Sequence, residues 1–211
     1  MIIIAPLIQF YTQDDDPGVT KRIARKLLHL AFETSNAFWF ERDLKVEFPR
    51  IEPRVPVFVD TTANAETLDW IRTRGEPWMY NAEEIETGMR EGHHFVNVRH
   101  DREIIGYAKV AVRRVYINDY LRVVALPDDY AFIYDTYVAP DYRGLKIASF
   151  LVLSIMRLFE SLGKRRLGCH IPPWNVASIN TYVSLGFKKT KYIRFMRIAG
   201  CGIFTADPGI T

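Results

Sequence analysis

Tyr134-Asp135-Thr136-Tyr137-Val138-Ala139-Pro140-Asp141-Tyr142-Arg143-Gly144-Leu145-Lys146-Ile147-Ala148 carries the chain from a strand into a helix through a tight turn. The strand covers 130–138 and is apolar on both faces, with Asp135 its one charge, as a strand in the middle of a sheet should be. Pro140 to Gly144 make the turn. The helix that follows, 145–162, is apolar nearly all round and is expected to be mostly buried, and Gly163 is a good residue to end it. The first N–H groups of that helix have no partner within it. They carry the positive end of the helix dipole, so the turn is a ready anion site suited to a pyrophosphate. Arg143 adds a fixed positive charge at its mouth. The pattern alone also fits an ordinary strand–turn–helix with a solvated Arg, because short Gly-containing turns are common.

Downstream, 166–171 reads as a short strand closed by Pro172-Pro173, 175–185 as a helix ended by Gly186, and 189–198 as a last strand. The tail 200–211 contains Gly and Pro and reads as loose. Upstream, 95–100 and 103–116 read as two strands joined by Asp101-Arg102. Residues 64–73 and 82–91 read as helices and 55–60 as a strand. Pro49, Pro53 and Pro56 break the chain and mark the candidate boundary of the domain. Before them, 36–48 reads as an aromatic-rich strand and 2–11 as an apolar one. Asp16-Pro17 opens an amphipathic helix over 17–34, with Val19, Ile23, Leu27 and Leu30 on one face and a basic opposite face. The order predicts a mixed α/β sheet, mostly antiparallel, with helices on both faces. It divides the chain into an N-terminal extension, 1–53, packed on the core, a domain over 54–199, and the tail.

Composition bounds the function. The 211 residues suit one generous domain, and a hydrophobic fraction of 48% with 25% charged is ordinary for a globular chain. A net charge of +3 is too mild for a dedicated nucleic-acid binder and fits a site for a small polyanion. Two cysteines, Cys169 and Cys201, make no disulfide framework, and no Cys/His spacing marks a metal site. The apolar start lacks the flanks of a signal peptide, and no stretch is long enough to span a bilayer, so the expected location is cytoplasmic.

A second stretch gives the first its meaning. Asn175-Val176-Ala177-Ser178-Ile179-Asn180-Thr181-Tyr182-Val183-Ser184-Leu185-Gly186-Phe187 resembles the second motif of the GNAT superfamily of acyl-CoA-dependent N-acyltransferases, with Asn175, Ser178, Tyr182, Gly186 and Phe187 in step. The segment ending Arg143-Gly144-Leu145-Lys146-Ile147-Ala148 resembles that family's acyl-CoA-binding motif. Arg143 and Ala148 match, while Lys146 stands where the family has Gly. The resemblance covers roughly 54–198. It implies acetyl-CoA or another acyl-CoA as co-substrate, no metal, and a cofactor site made by Val138, Arg143, Gly144, Leu145, Lys146, Ile147, Ala148, Asn175 and Ser178. Val138 would act through its backbone, at a place where similar proteins splay the strand from its neighbour.

Tyr182 would serve as the general acid for the departing thiolate, since a phenol is protonated at neutral pH; its structural alternative is a core Tyr. Asp135 is costly on a central strand unless it is paired or functional, and could accept or hold the proton of an amine. Tyr134, on the opposite face, has a weaker claim. Asn175 is either a cofactor contact or a plain N-cap. His170 and Trp174 are candidate acceptor contacts or simple core. Glu76, Trp78 and Tyr80, with the acidic run 83–91, lie where similar proteins place acceptor-binding helices. The expected activity is acetyl transfer to a primary amine, on a small molecule or a peptide, by direct transfer in a ternary complex. The alternatives are a non-catalytic acyl-CoA-binding regulatory module, or a nucleic-acid- or membrane-associated protein using the basic helix. The N-terminal helix and strand are also candidates to build a homodimer interface.

Overall fold

The computed structural model describes residues 32–61, 68, 69, 73, 82–101, 103–117, 122–198 and 201–208. The strands are β1 (Phe32–Asp43), β2 (Phe58–Asp60), β3 (His94–His100), β4 (Glu103–Ala111), β5 (Arg114–Ile117), β6 (Arg122–Ala125), β7 (Tyr130–Val138), β8 (Arg166–Ile171), β9 (Lys188–Ile198) and β10 (Cys201–Pro208). The helices are α1 (Ala82–Arg90), α2 (Ile147–Ser161) and α3 (Val176–Ser184), with a 3₁₀ turn at Pro140–Tyr142. Eight strands form one sheet in the order β10-β9-β1-β8-β7-β4-β3-β2, while β5 and β6 make a separate ribbon. The pair β7–β8 is parallel, and the other described pairs are antiparallel.

Alternation along the strands sorts the core onto two faces. Leu167, Cys169 and Ile171 of β8 join Val96, Val98, Ala108 and Val110 in a layer that α2 covers with Leu151, Val152, Ile155, Met156 and Phe159. On the other face, Trp39, Phe132, Tyr130, Ile193 and Phe195 pack against Val115 and Ile117 of the ribbon and Leu126 just after it. Phe95 and Tyr107 stack there with rings 5.7 Å apart, alongside Met89 of α1. Helices therefore lie on both faces, as expected.

Several boundaries differ from the sequence reading. The predicted helix 17–34 gives way to strand at its end: residues 32–34 belong to β1, which closes at Asp43 and not at 48. The rest of that helix, the strand 2–11 and most of the helix 64–73 lie outside the described residues; Leu68, Asp69 and Thr73 are helical. The stretch assigned to an extension packed on the core supplies an interior strand, since β1 pairs with β8 on one side and β9 on the other. The predicted strand 103–116 breaks at Val112 and Arg113, where Arg113 takes a left-handed φ of 73°, and its second half turns away to pair with β6. The tail expected to be loose is β10, which pairs with β9 from Cys201 to Pro208.

Candidate functional site

Strands β7 and β8 part in the middle of the sheet. Their parallel pairing ends at Ile133 and Cys169, yet β7 continues to Val138 and β8 to Ile171. On its other edge β7 stays paired with β4 out to Val138 opposite Gly106. The β8-facing edge of 134–138 is thus left outside the ladder, a place where a central strand can offer backbone donors and acceptors to something else. A cavity of about 460 Å³ opens beside it. Thr136, Tyr137 and Val138 form its strand wall, the turn and the start of α2 its floor, and Asn175, Ser178, Thr181 and Tyr182 of the α3 segment its far side.

The floor has the electrostatics expected from sequence. The first carbonyl-bonded N–H of α2 is that of Phe150, to Lys146 O at 3.0 Å, so the N–H groups of Ile147, Ala148 and Ser149 have no carbonyl within the helix. No acidic residue lies in that first turn. The turn is made by two left-handed residues, Gly144 with φ 77° and Lys146 with φ 62°. The second explains the family's preference for Gly at this place: the backbone is left-handed there, which costs a side-chain-bearing residue energy. Lys146 nonetheless adopts the conformation and lines the cavity. Arg143 folds back, its Nε donating to Val138 O at 3.0 Å and its guanidinium lying 5.8 Å from the Tyr137 ring centre. Asn175 caps α3 by accepting from Ser178 N–H at 3.2 Å, and it also lines the cavity.

Tyr182 is 4% exposed. Its ring packs edge-on against Phe187 at 4.9 Å. Its hydroxyl is 3.3 Å from Thr136 Oγ1 across the cavity wall, and either oxygen can donate. Burial pushes the phenol well above its ordinary value, with the nearby Cys169 adding to the effect and the Thr136 contact opposing it. Tyr182 is therefore a protonated donor at neutral pH.

Asp135 is paired. Its Oδ2 takes Lys109 Nζ at 3.0 Å and the Tyr107 hydroxyl at 3.1 Å. The Lys109 side chain is 2% exposed and that of Asp135 22%. The lone acid of β7 thus faces a buried Lys at the matching position of β4. Tyr134 does not face the other way as expected. The register passes from Lys109 opposite Asp135 to Val110 opposite Ile133, so Tyr134 is an extra residue in a β-bulge. The bulge brings its ring within 5.8 Å of the same Lys109 Nζ. The Tyr134 hydroxyl meets His93 Nδ1 at 3.0 Å, while His93 Nε2 meets the Arg114 carbonyl at 3.1 Å. A carbonyl only accepts, so Nε2 carries the proton and, in the neutral ring, Tyr134 donates to Nδ1.

Neither Asp135 nor Tyr134 lines the cavity, and other candidates fall away from it as well. Leu145 packs against the core, and its carbonyl accepts from Arg54 N–H at 3.0 Å. His170 stacks on Phe132 with rings 5.9 Å apart. Trp174 is 79% exposed and is neither core nor cavity wall. Glu76, Trp78, Tyr80 and the side chains of 83–85 lie outside the described residues. Sequence reasoning misses Thr136 and Lys109. The signal for Lys109 is a single Lys in an apolar strand opposite a strand with a single Asp. Among the described residues no His, Cys, Asp and Glu group could hold a metal ion, and no helix is long and apolar enough to cross a membrane.

Aminoglycoside N(6')-acetyltransferase type 1 of Salmonella typhimurium is 28% identical over 99 residues, 46% of this chain. The match spans 63% of that relative's length. A GCN5-related N-acetyltransferase from Sphaerobacter thermophilus shares the fold with a TM-score of 0.58 at 13% identity, over 87% of this chain and 58% of that one. AAC(6')-Iy, solved with the bisubstrate analog CoA-S-monomethyl-acetylneamine, shares it with a TM-score of 0.50 at 20% identity, over 64% of this chain and 92% of that one. The model of the Acetyltransferase (GNAT) family matches residues 59–187, which takes in the parted strands, the turn into α2 and the whole of α3. By that match, and by the fold it shares, the chain belongs to the GNAT acetyltransferase family.

Proposed function

We propose that the protein moves an acetyl group from acetyl-CoA to a primary amine, with both held at the parted strands and no covalent enzyme intermediate. The observation that carries this reading is the buried Tyr182 hydroxyl in the wall of a cavity that joins the part of β7 beyond the β8 ladder to the start of α2. The residues fit the co-substrate. N–H groups at the start of α2, with Arg143 and Lys146, would hold the diphosphate. The backbone of β7 beyond its ladder with β8 would bond the pantetheine amide and the thioester carbonyl, and a donor there favours charge gathering on that oxygen. Acetyl-CoA, when bound, supplies an activated thioester. Tyr182 gives its proton to the departing sulfur. Asp135, oriented by Lys109 and Tyr107, holds the amine. Binding both reactants in one geometry supplies most of the remaining acceleration.

The relatives' activity makes amino sugars the first acceptors to try, ahead of simple amines and peptide N-termini. The test is thermal unfolding with and without acetyl-CoA, with ATP as control, followed by turnover on that amine panel. A ligand at a hundred times its Kd stabilises a fold by about 2.7 kcal/mol, so a clear shift with acetyl-CoA is expected, then acetylation of at least one amine. No shift at millimolar acetyl-CoA would sink the reading. Binding without turnover would leave an acyl-CoA-binding module.

A further inference from the structure

Tyr182 poses a chemical problem for the mechanism just given. A phenol in a dry wall donates its proton only if the phenolate left behind is stabilised, and burial opposes that charge. Thr136 supplies the remedy. Its hydroxyl is within 3.3 Å of Tyr182 Oη and reaches it from β7, in the stretch where the strand has left β8. Two hydrogen-bond directions are open. If Tyr182 donates to Thr136, the phenolic proton points into the wall and is lost to the cavity. If Thr136 donates to Tyr182, the phenolic proton is free to point into the cavity, and the Thr hydroxyl already faces the oxygen that will become negative.

We infer that Thr136 is a positioning residue for proton transfer by Tyr182, donating its hydroxyl hydrogen bond to Tyr182 Oη and stabilising the phenolate as the proton leaves. This rests on the acetyl-transfer reading. In the step, the Tyr182 O–H bond breaks and an S–H bond forms on the departing thiolate. The Thr136 O–H bond stays intact. The phenolate regains a proton from solvent, and the proton lost by the amine passes to solvent. The Thr136 contact also works against the upward push of burial on the phenol, as a donor to the phenolate must.

The experiment compares Thr136→Val, which keeps the shape, with Thr136→Ser, which keeps the hydroxyl, in wild-type and Tyr182→Phe backgrounds. With both substrates saturating, Thr136→Val should lower kcat about tenfold, the worth of a hydrogen bond to a charged group. KM for acetyl-CoA should stay within about twofold, and Thr136→Ser should restore most of kcat. The alkaline limb of the kcat profile should move to higher pH in Thr136→Val, since the phenolate has lost its donor. Thr136→Val should add almost nothing in the Tyr182→Phe background. Thr136→Ala provides the same readings if the Val variant does not fold. Unchanged kcat in Thr136→Val beside a slow Tyr182→Phe overturns the inference and leaves the reading standing. So does a full additional loss in the double variant. A Tyr182→Phe enzyme as fast as wild type overturns the inference and the role of Tyr182 in the reading together.

Discussion

Tyr182→Phe removes one hydroxyl from a buried ring and leaves its packing on Phe187 intact. Loss of a general acid costs about a hundredfold or more in kcat, and KM for acetyl-CoA should change little; steady-state kinetics at saturating amine reads both. A second residue tests the sheet beneath. A methyl group at Gly168 would land on the Tyr130 hydroxyl, which donates to Glu41 at 3.0 Å and accepts from Trp39 Nε1 at 3.0 Å. Gly168→Ala should destabilise by about 1–3 kcal/mol through overpacking, seen as a lower denaturation midpoint. At this scale the sequence is partly legible. That Tyr182, Arg143 and Asn175 gather at one cavity is legible because each sits in a contiguous motif that resembles the family's. Thr136 and Tyr107 are not, because each acts on a residue from another element that the chain order does not bring near, and the signal for Lys109 needs the pairing of two strands to be known first. Asp135 shares a face with Tyr134, against simple alternation, for a related reason: one inserted residue breaks the count on which facing rests.

Among the elements, the turn between β7 and α2 carries a measurable strain. Lys146 holds a left-handed φ of 62° as the residue before α2. Gly would relieve roughly 1–2 kcal/mol of that cost and give back roughly 0.5–1 through a more flexible unfolded chain. Lys146→Gly should therefore raise the melting temperature slightly, and acetyl-CoA titration of the same variant shows what the lost ammonium was worth to binding. The strand–turn–helix is legible in the sequence because its signals are contiguous: an unbroken apolar run, Pro140, Gly144, then an apolar helix. The bounds that the sequence predicts at 130–138 and 166–171 are those of β7 and β8. The long strand expected over 103–116 fails because its alternation continues across Val112 and Arg113 while the backbone does not. β6 and β10 escape sequence reasoning because short or Gly-containing runs carry little periodicity of their own and become strands only by pairing.

Across the whole molecule, two adjacent imidazoles set a limit on acid tolerance. Burial holds His93 and His94 below the ordinary value of 6.5, with the Lys164 charge adding to the effect on His94. The folded chain thus binds fewer protons than the unfolded one. The stabilisation is present above about 6.5 and is lost as pH falls below it. Melting temperatures from about pH 7.5 down to about 5.5 should decline, and less so in His93→Gln, whose side chain cannot take up a proton. The first described strand sets a second limit. β1 lies between β8 and β9, so a chain starting at residue 50 would lack an interior strand and split the sheet. It should express as aggregate or as a species without a cooperative melt, whereas an independent domain beginning near residue 54 would melt as sharply as the full chain.

That interior place also orders events in time. Phe32 pairs with Ile198, so this seam of the sheet joins the first described strand to the next to last. On the ribosome, β1 emerges early and finds neither neighbour until β8 and then β9 are synthesised. Until then both of its edges are open templates for pairing with another chain. Contacts so distant along the chain slow folding toward the millisecond-to-second range of non-local sheets, and the nascent protein has to keep its first described strand from foreign partners until its last strands arrive.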